Sequence, residues 1–201
     1  MNEDIRTDAL LEVTNIGAGQ AATALSQLLL SKVLINVPNL KFLPVEEIPQ
    51  ALGGTEQNII GVYFTIAGDL SGRILLLFDY SSAQRLVELV SGTPRQGSGN
   101  FSELDRSAMM EMGNIITNSY LNGLAGLLDI TLYPSVPYFA QDTLGAVIDS
   151  LLIEISMASD KALLIDTEMH IENEDLKGSF LVFPDEEFMN KIFEKLGFRR
   201  N

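Results

Sequence analysis

The chain of 201 residues carries 27 acidic against 13 basic side chains, a net charge of −14, and its Lys and Arg are scattered apart from Arg199-Arg200. That balance argues against a nucleic-acid partner, which needs clustered cations, and favours a partner with a positive rim. Cysteine is absent, which removes disulfides, thiolate nucleophiles and zinc fingers.

Taken in chain order, the acidic start MNEDIRTD lacks the basic and then apolar regions of a signal peptide. Helical periodicity runs from about 4 to 30. The uncharged run Val13 to Ser31 within it holds Thr14, Asn15, Gln20, Thr23, Ser26 and Gln27, too polar for a bilayer span, so no membrane is expected and the protein is read as cytoplasmic. Apolar, often β-branched runs follow at 33–37, 58–66 and 73–78, then a helix at 81–91 ending before Gly92. The stretch GTPRQGSGN, 92–100, reads as a surface linker. A second long helix is expected at 103–128, capped by Ser102, followed by strands at 129–133, 151–158, 161–171 and 179–183. A last helix is expected at 185–196, ending before Gly197, with the acidic run 185–187 at its N-terminus.

These elements are written twice. Asp8, Glu12, Asn15 and Pro38 recur as Ser107, Glu111, Asn114 and Pro137, each 99 residues later, and Ile16, Leu25, Leu28, Leu29 and Val37 keep the same register. The turn sequence Asp69-Leu70-Ser71-Gly72 returns as Asp175-Leu176-Lys177-Gly178 at an offset of 106, so seven extra residues enter between Pro137 and Asp175. The expected fold is α+β: two pseudo-symmetric repeats sharing a mainly antiparallel sheet, with the two long helices exposed on one face. The expected organisation is a single domain of two repeats, about 1–92 and 101–201, joined by a linker at about 93–100.

On a helical wheel Asp8, Glu12, Asn15, Gly19 and Ser26 fall within about 60° of one another. Leu10, Val13, Ala21, Leu25, Leu28 and Leu29 form the opposite, buried side. Ser107, Glu111, Asn114, Asn118 and Ala125 repeat the stripe, against Met109, Met110, Met112, Ile116, Tyr120, Leu124 and Leu127. One polar stripe is ordinary solvated surface. Two features raise this one above that: Asn is a poor mid-helix residue yet occupies both matching positions, and Gly19 and Ala22 leave the next turn small enough for close approach. Glu and Asn are weak nucleophiles, but a carboxamide can hold a water in line with a phosphoryl group and a Glu can pair with a Lys or act as a base. Such a site is completed by its substrate.

The pattern D/S-x3-E-x2-N, with 22 residues between each Asn and its Pro, resembles the CheC/CheX/FliY family of chemotaxis phosphatases. EVTNIGAGQAATALSQL and EMGNIITNSYLNGLA are similar to its two signature helices, and the resemblance covers nearly the whole chain. It implies hydrolysis of the phosphoaspartate of a CheY-like response regulator. Carried over, Asn15 and Asn114 orient the attacking water, Glu12 and Glu111 pair with a lysine of the regulator, and Asp8 and Ser107 support them. No cofactor of its own is implied; the Mg²⁺ comes with the regulator. Thr14 stands where Gly is usual, as Gly113 does in the second copy, which is expected to alter the first helix's approach to a partner and to favour the second site. Two motifs in one chain imply the CheC subtype, expected to be a monomer, and CheC proteins also bind the deamidase CheD. A short helix at the start of 138–152, exposing Asp142, is a candidate CheD contact, with an ordinary connecting helix as the equal alternative. The alternative function is a non-catalytic module that sequesters phosphorylated CheY or CheD, and the blander one a structural domain whose helices only pack on a partner. His170 is read as structural or merely exposed, Gly17-Ala18-Gly19 as helix and not a phosphate loop, and Pro38 and Pro137 as shaping the chain path at a strand end.

Overall fold

A computed structural model describes residues 3–94, 99–155, 161–171, 174–184 and 186–195. The first half comprises α1 (Glu3–Leu29), β1 (Val33–Pro44), a single 3₁₀ turn leading into α2 (Ile48–Ala51), β2 (Asn58–Gly68), β3 (Gly72–Asp79) and α3 (Tyr80–Ser91). The second comprises α4 (Glu103–Leu128), β4 (Leu132–Pro134), β5 (Tyr138–Thr143), α5 (Leu144–Ile155), β6 (Lys161–Ile171), β7 (Glu174–Pro184) and α6 (Glu186–Lys195).

Local chemistry accounts for the helix ends. Ser102 caps α4 in a reciprocal box: its Oγ accepts from Asp105 N at 3.2 Å, and Asp105 accepts from Ser102 N at 2.9 Å. Asp79 caps α3 by accepting from Ser82 N at 2.7 Å, and Gly92 closes that helix at φ 67°, where a side chain would be strained. Residues 95–98 of the expected linker, Asp185, and the expected end of the last helix from 196 onward lie outside the described residues.

Among the described residues, seven strands form one antiparallel sheet in the order β1-β6-β7-β3-β2-β4, with β5 also on β2. The halves exchange their first strands. β1 pairs along β6 of the second half, from Val33 opposite Ile171 to Pro44 opposite Lys161. β4 and β5 of the second half pair with β2 of the first. In the middle, β3 meets β7, where Leu75 lies opposite Leu181, its counterpart at the 106-residue offset. The extra residues are now located. Pro44 and Thr143, which end matching strands, are 99 apart, whereas the next starts, Asn58 and Lys161, are 103 apart. The seven extra residues therefore enter after Thr143, divided between the α5 segment and the β6–β7 hairpin.

The apolar runs of the central strands are continuous because both sheet faces are covered. Ile74, Leu76 and Phe78 of β3 join a core with α1, α3, α4 and α6, while Leu75 and Leu77 join a second core with Ile48 of α2 and α5. This second cover corrects the expected strand at 151–158. Leu144, Val147, Ile148 and Leu151 are spaced i, i+3, i+4, i+7 and are buried together, so 144–155 is helical; residues 156–158 lie outside the described set. Pro38 is also placed differently: it lies within β1, at the register shift between Asn36 and Asn39. β1 is an edge strand, where a missing N–H is tolerated. Pro137 immediately precedes β5.

Candidate functional site

The site residues are positioned by the packing of α1 against α4. Leu10, Val13, Ala21 and Leu25 on one helix, and Met109, Met112, Ile116 and Leu124 on the other, are buried in the helix-facing core. Amphipathic geometry then turns the opposite sides outward: Asp8, Glu12 and Asn15 are exposed, as are Ser107 and Glu111, and Asn114 is half-buried. Three expected assignments change. Leu28 and Leu127, the matching pair expected inside, are 39% and 48% exposed. Ala22 is buried, so only Gly19 leaves the stripe small.

The two helices touch through glycine. A Cβ on Gly123 would stand 3.1 Å from Gly17 Cα, and one on Gly17 would stand 2.6 Å from Tyr120 Cδ2. Gly17-Ala18-Gly19 is thus helical and partly a contact surface for α4.

Thr14 is where structure and expectation part most clearly. It is only 2% exposed and points into the helix seam, away from any partner surface. Its Oγ1 donates to Leu10 O at 2.8 Å, so the 3.1 Å bond with Tyr120 must run from the phenol hydroxyl to Oγ1. Burial pushes the Tyr120 phenol up to about 12. Gly113 is buried against the sheet, where a Cβ would come within 2.7 Å of Val62 Cγ1. The Thr/Gly difference answers to neighbours inside the fold.

Ser26 serves the fold too: its Oγ donates to Ala22 O at 2.7 Å and accepts from Val33 N at 2.9 Å, closing the turn from α1 into β1. Asp142 remains exposed, but its element is the strand β5 instead of a helix; the helix begins only at Leu144, and Asp142 Oδ1 accepts from Thr143 N at 2.7 Å. His170 pairs with Asp175 at 2.5 Å across the β6–β7 hairpin. Among the described residues no cluster of His, Cys, Asp and Glu could hold a metal ion, and no helix is long and apolar enough to cross a membrane.

A contact that the motif did not flag lies one turn beyond Asn114. Asn118 Nδ2 donates both to Asn114 O and to Asn114 Oδ1, each at 2.8 Å. The polar stripe contained Asn118, and its poor helix propensity was the available signal.

Fold and site define a duplicated α+β protein that presents a Glu-x2-Asn motif twice, once on each of two packed helices. The comparisons agree with that class. The model of the CheC-like family matches residues 5–41, which contain the first motif. The CheY-P phosphatase CheC of Bacillus subtilis is 34% identical over 194 residues, covering 94% of this chain and 93% of the relative. Among solved structures, Thermotoga maritima FliY superposes with a TM-score of 0.80 at 20% identity, covering 99% of both chains. A chain of the CheX-CheY-BeF3-Mg complex from Borrelia burgdorferi superposes with a TM-score of 0.53 at 15% identity, covering 85% of this chain and 96% of that one. The chain belongs to the CheC-like family.

Proposed function

We propose that this protein hydrolyses the phosphoaspartate of a CheY-like receiver domain in chemotaxis signalling. The observation that carries the reading is the paired Glu-x2-Asn motif, Glu12 with Asn15 and Glu111 with Asn114, directed outward from a rigid helix pair. The relative named as a CheY-P phosphatase and the solved complex of a CheX with CheY support it.

Docking brings each Asn to the partner's acyl phosphate. The carboxamide oxygen accepts a hydrogen from a water molecule and so turns a lone pair of that water towards phosphorus. A bond forms from the water oxygen to phosphorus, the P–O bond to the aspartyl carboxylate breaks, and the water's protons leave with inorganic phosphate or solvent. Glu12 and Glu111 pair with a lysine of the receiver and set the approach angle. Asp8 and Ser107, one turn earlier on the same stripes, take the supporting place. Ile16, 41% exposed beside Asn15, adds apolar contact area. Mg²⁺ held by the receiver would offset the phosphoryl charge, so this chain needs no metal of its own. The net charge of −14 steers a receiver with a basic rim towards it.

The test is the decay of a phosphorylated CheY-like receiver with and without the protein. Asn15→Ala with Asn114→Ala is expected to fold normally and to lose at least about 100-fold in turnover, the scale of a lost water-positioning group. Full activity in that double variant would overturn the mechanism. Retained binding without any shortening of the phosphorylated lifetime by the unmodified protein would assign it to sequestration instead.

A further inference from the structure

We infer that Asn118 is a positioning residue that holds the Asn114 carboxamide in one orientation, and that the first site lacks this device. The inference rests on the phosphatase reading above and concerns how its two sites differ.

The geometry leaves one solution for the amide orientations. Asn114 O is a backbone carbonyl and can only accept, so the Asn118 atom 2.8 Å from it must be the amide nitrogen. That nitrogen has a second hydrogen, directed at the Asn114 side chain 2.8 Å away, and its partner must again be an acceptor. Asn114 therefore turns its Oδ1 towards Asn118 and its own NH₂ to the other side. One lone pair of Oδ1 and both Nδ2 hydrogens remain for a water and a phosphoryl oxygen.

The counterpart of Asn118 at the 99-residue offset is Gly19. It has no side chain to donate, and among the described residues nothing holds the exposed Asn15 carboxamide. Asn15 must lose its rotamer freedom as it aligns the water in each transition state, whereas Asn114 has lost it on folding. Ordering one such side chain costs about 0.5–1.5 kcal/mol, which corresponds to roughly two- to twelvefold in rate. A Cβ on Gly19 meets nothing within 4 Å, so the missing clamp can be installed there without a clash.

The experiment uses the full chain with one site silenced at a time and a CheY-like receiver phosphorylated by acetyl phosphate as the probe. In the Asn15→Ala background, Asn118→Ala is expected to lower kcat about three- to tenfold with KM within about twofold. Asn118→Asp, of the same shape but unable to donate, is expected to lower kcat further by repelling Oδ1 and reversing the Asn114 amide. In the Asn114→Ala background, Gly19→Asn is expected to raise kcat about threefold or more. This gain cannot come from a folding defect. Unfolding midpoints within a few degrees of each parent separate positioning from stability in the loss variants. Unchanged kcat in both Asn118 variants, or no gain from Gly19→Asn, overturns the clamp while Asn114→Ala still silences the second site. If Asn15→Ala with Asn114→Ala keeps full activity, it is the phosphatase reading that fails.

Discussion

Thr14 and Gly113 fill the same slot of the two motifs, and each is set by one neighbour. Thr14 accepts from Tyr120, and Thr14→Val would strand that hydroxyl inside the seam. The expected cost is about 1–3 kcal/mol of stability, measured by urea unfolding, with phosphatase turnover per folded molecule little changed. The Tyr120 phenol adds a pH signature. Its folded value of about 12 lies above its ordinary 10.0, so the unfolded chain releases the proton first. Stability should hold below pH 10 and decline as pH rises from there through about 12; Tyr120→Phe should lose less stability than the unmodified protein between pH 9 and 11.5. The outward direction of Glu12, Asn15 and Glu111 was legible from spacing because exposed residues on a helix obey the 3.6-residue period alone, whereas the roles proposed for them come from the family resemblance. The inward direction of Thr14 follows from the same period, which sets it between Ala21 and Leu25 on the buried side, but its partner Tyr120 was not legible, being 106 residues away.

Among the elements, α1 and α4 act as one block because glycines let their backbones meet. Gly123→Ala would push a methyl group to 3.1 Å from Gly17 Cα, and backbone cannot swing aside as a side chain can. A loss of about 1–3 kcal/mol is expected in thermal or urea unfolding, together with reduced turnover at both sites, since each motif is oriented by the same packing. Gly126, exposed on α4 with nothing within 4 Å of its Cβ position, is the control: Gly126→Ala should be neutral or stabilising by up to about 1 kcal/mol. Both long helices were readable from their stripes, and α4 also from its cap. The strand expected at 151–158 cuts the apolar run at Leu151 and hides the helical spacing that begins at Leu144, so residues 151–155 are helix instead. A helix buried on one face and a strand buried on two give similar short apolar windows, and only length separates them.

At the scale of the molecule, strand exchange makes each half depend on the other. Without β6, β1 has no strand partner, and without β7 the first half's own sheet ends at β3. Arg85 of α3 adds a tie across the halves through Glu174 of β7, with Nε to Oε2 at 2.6 Å. We expect residues 1–94 or 99–201 expressed alone to show no cooperative unfolding transition by circular dichroism. Co-expressed, they should reassemble into a folded pair that retains phosphatase turnover; a stable first half by itself would count against this dependence. By itself the sequence determined the duplication, the helix–strand alternation, the residues facing outward on the long helices and the family resemblance. All of these are periodic or local, so chain neighbours suffice to reveal them. The Asn118–Asn114 contact is local to one helix, yet it depends on side-chain rotamers that residue types and spacing leave open. The exchange of first strands, the second cover of the sheet and the Thr14–Tyr120 bond were decided only by tertiary structure, because their partners are brought together from far along the chain.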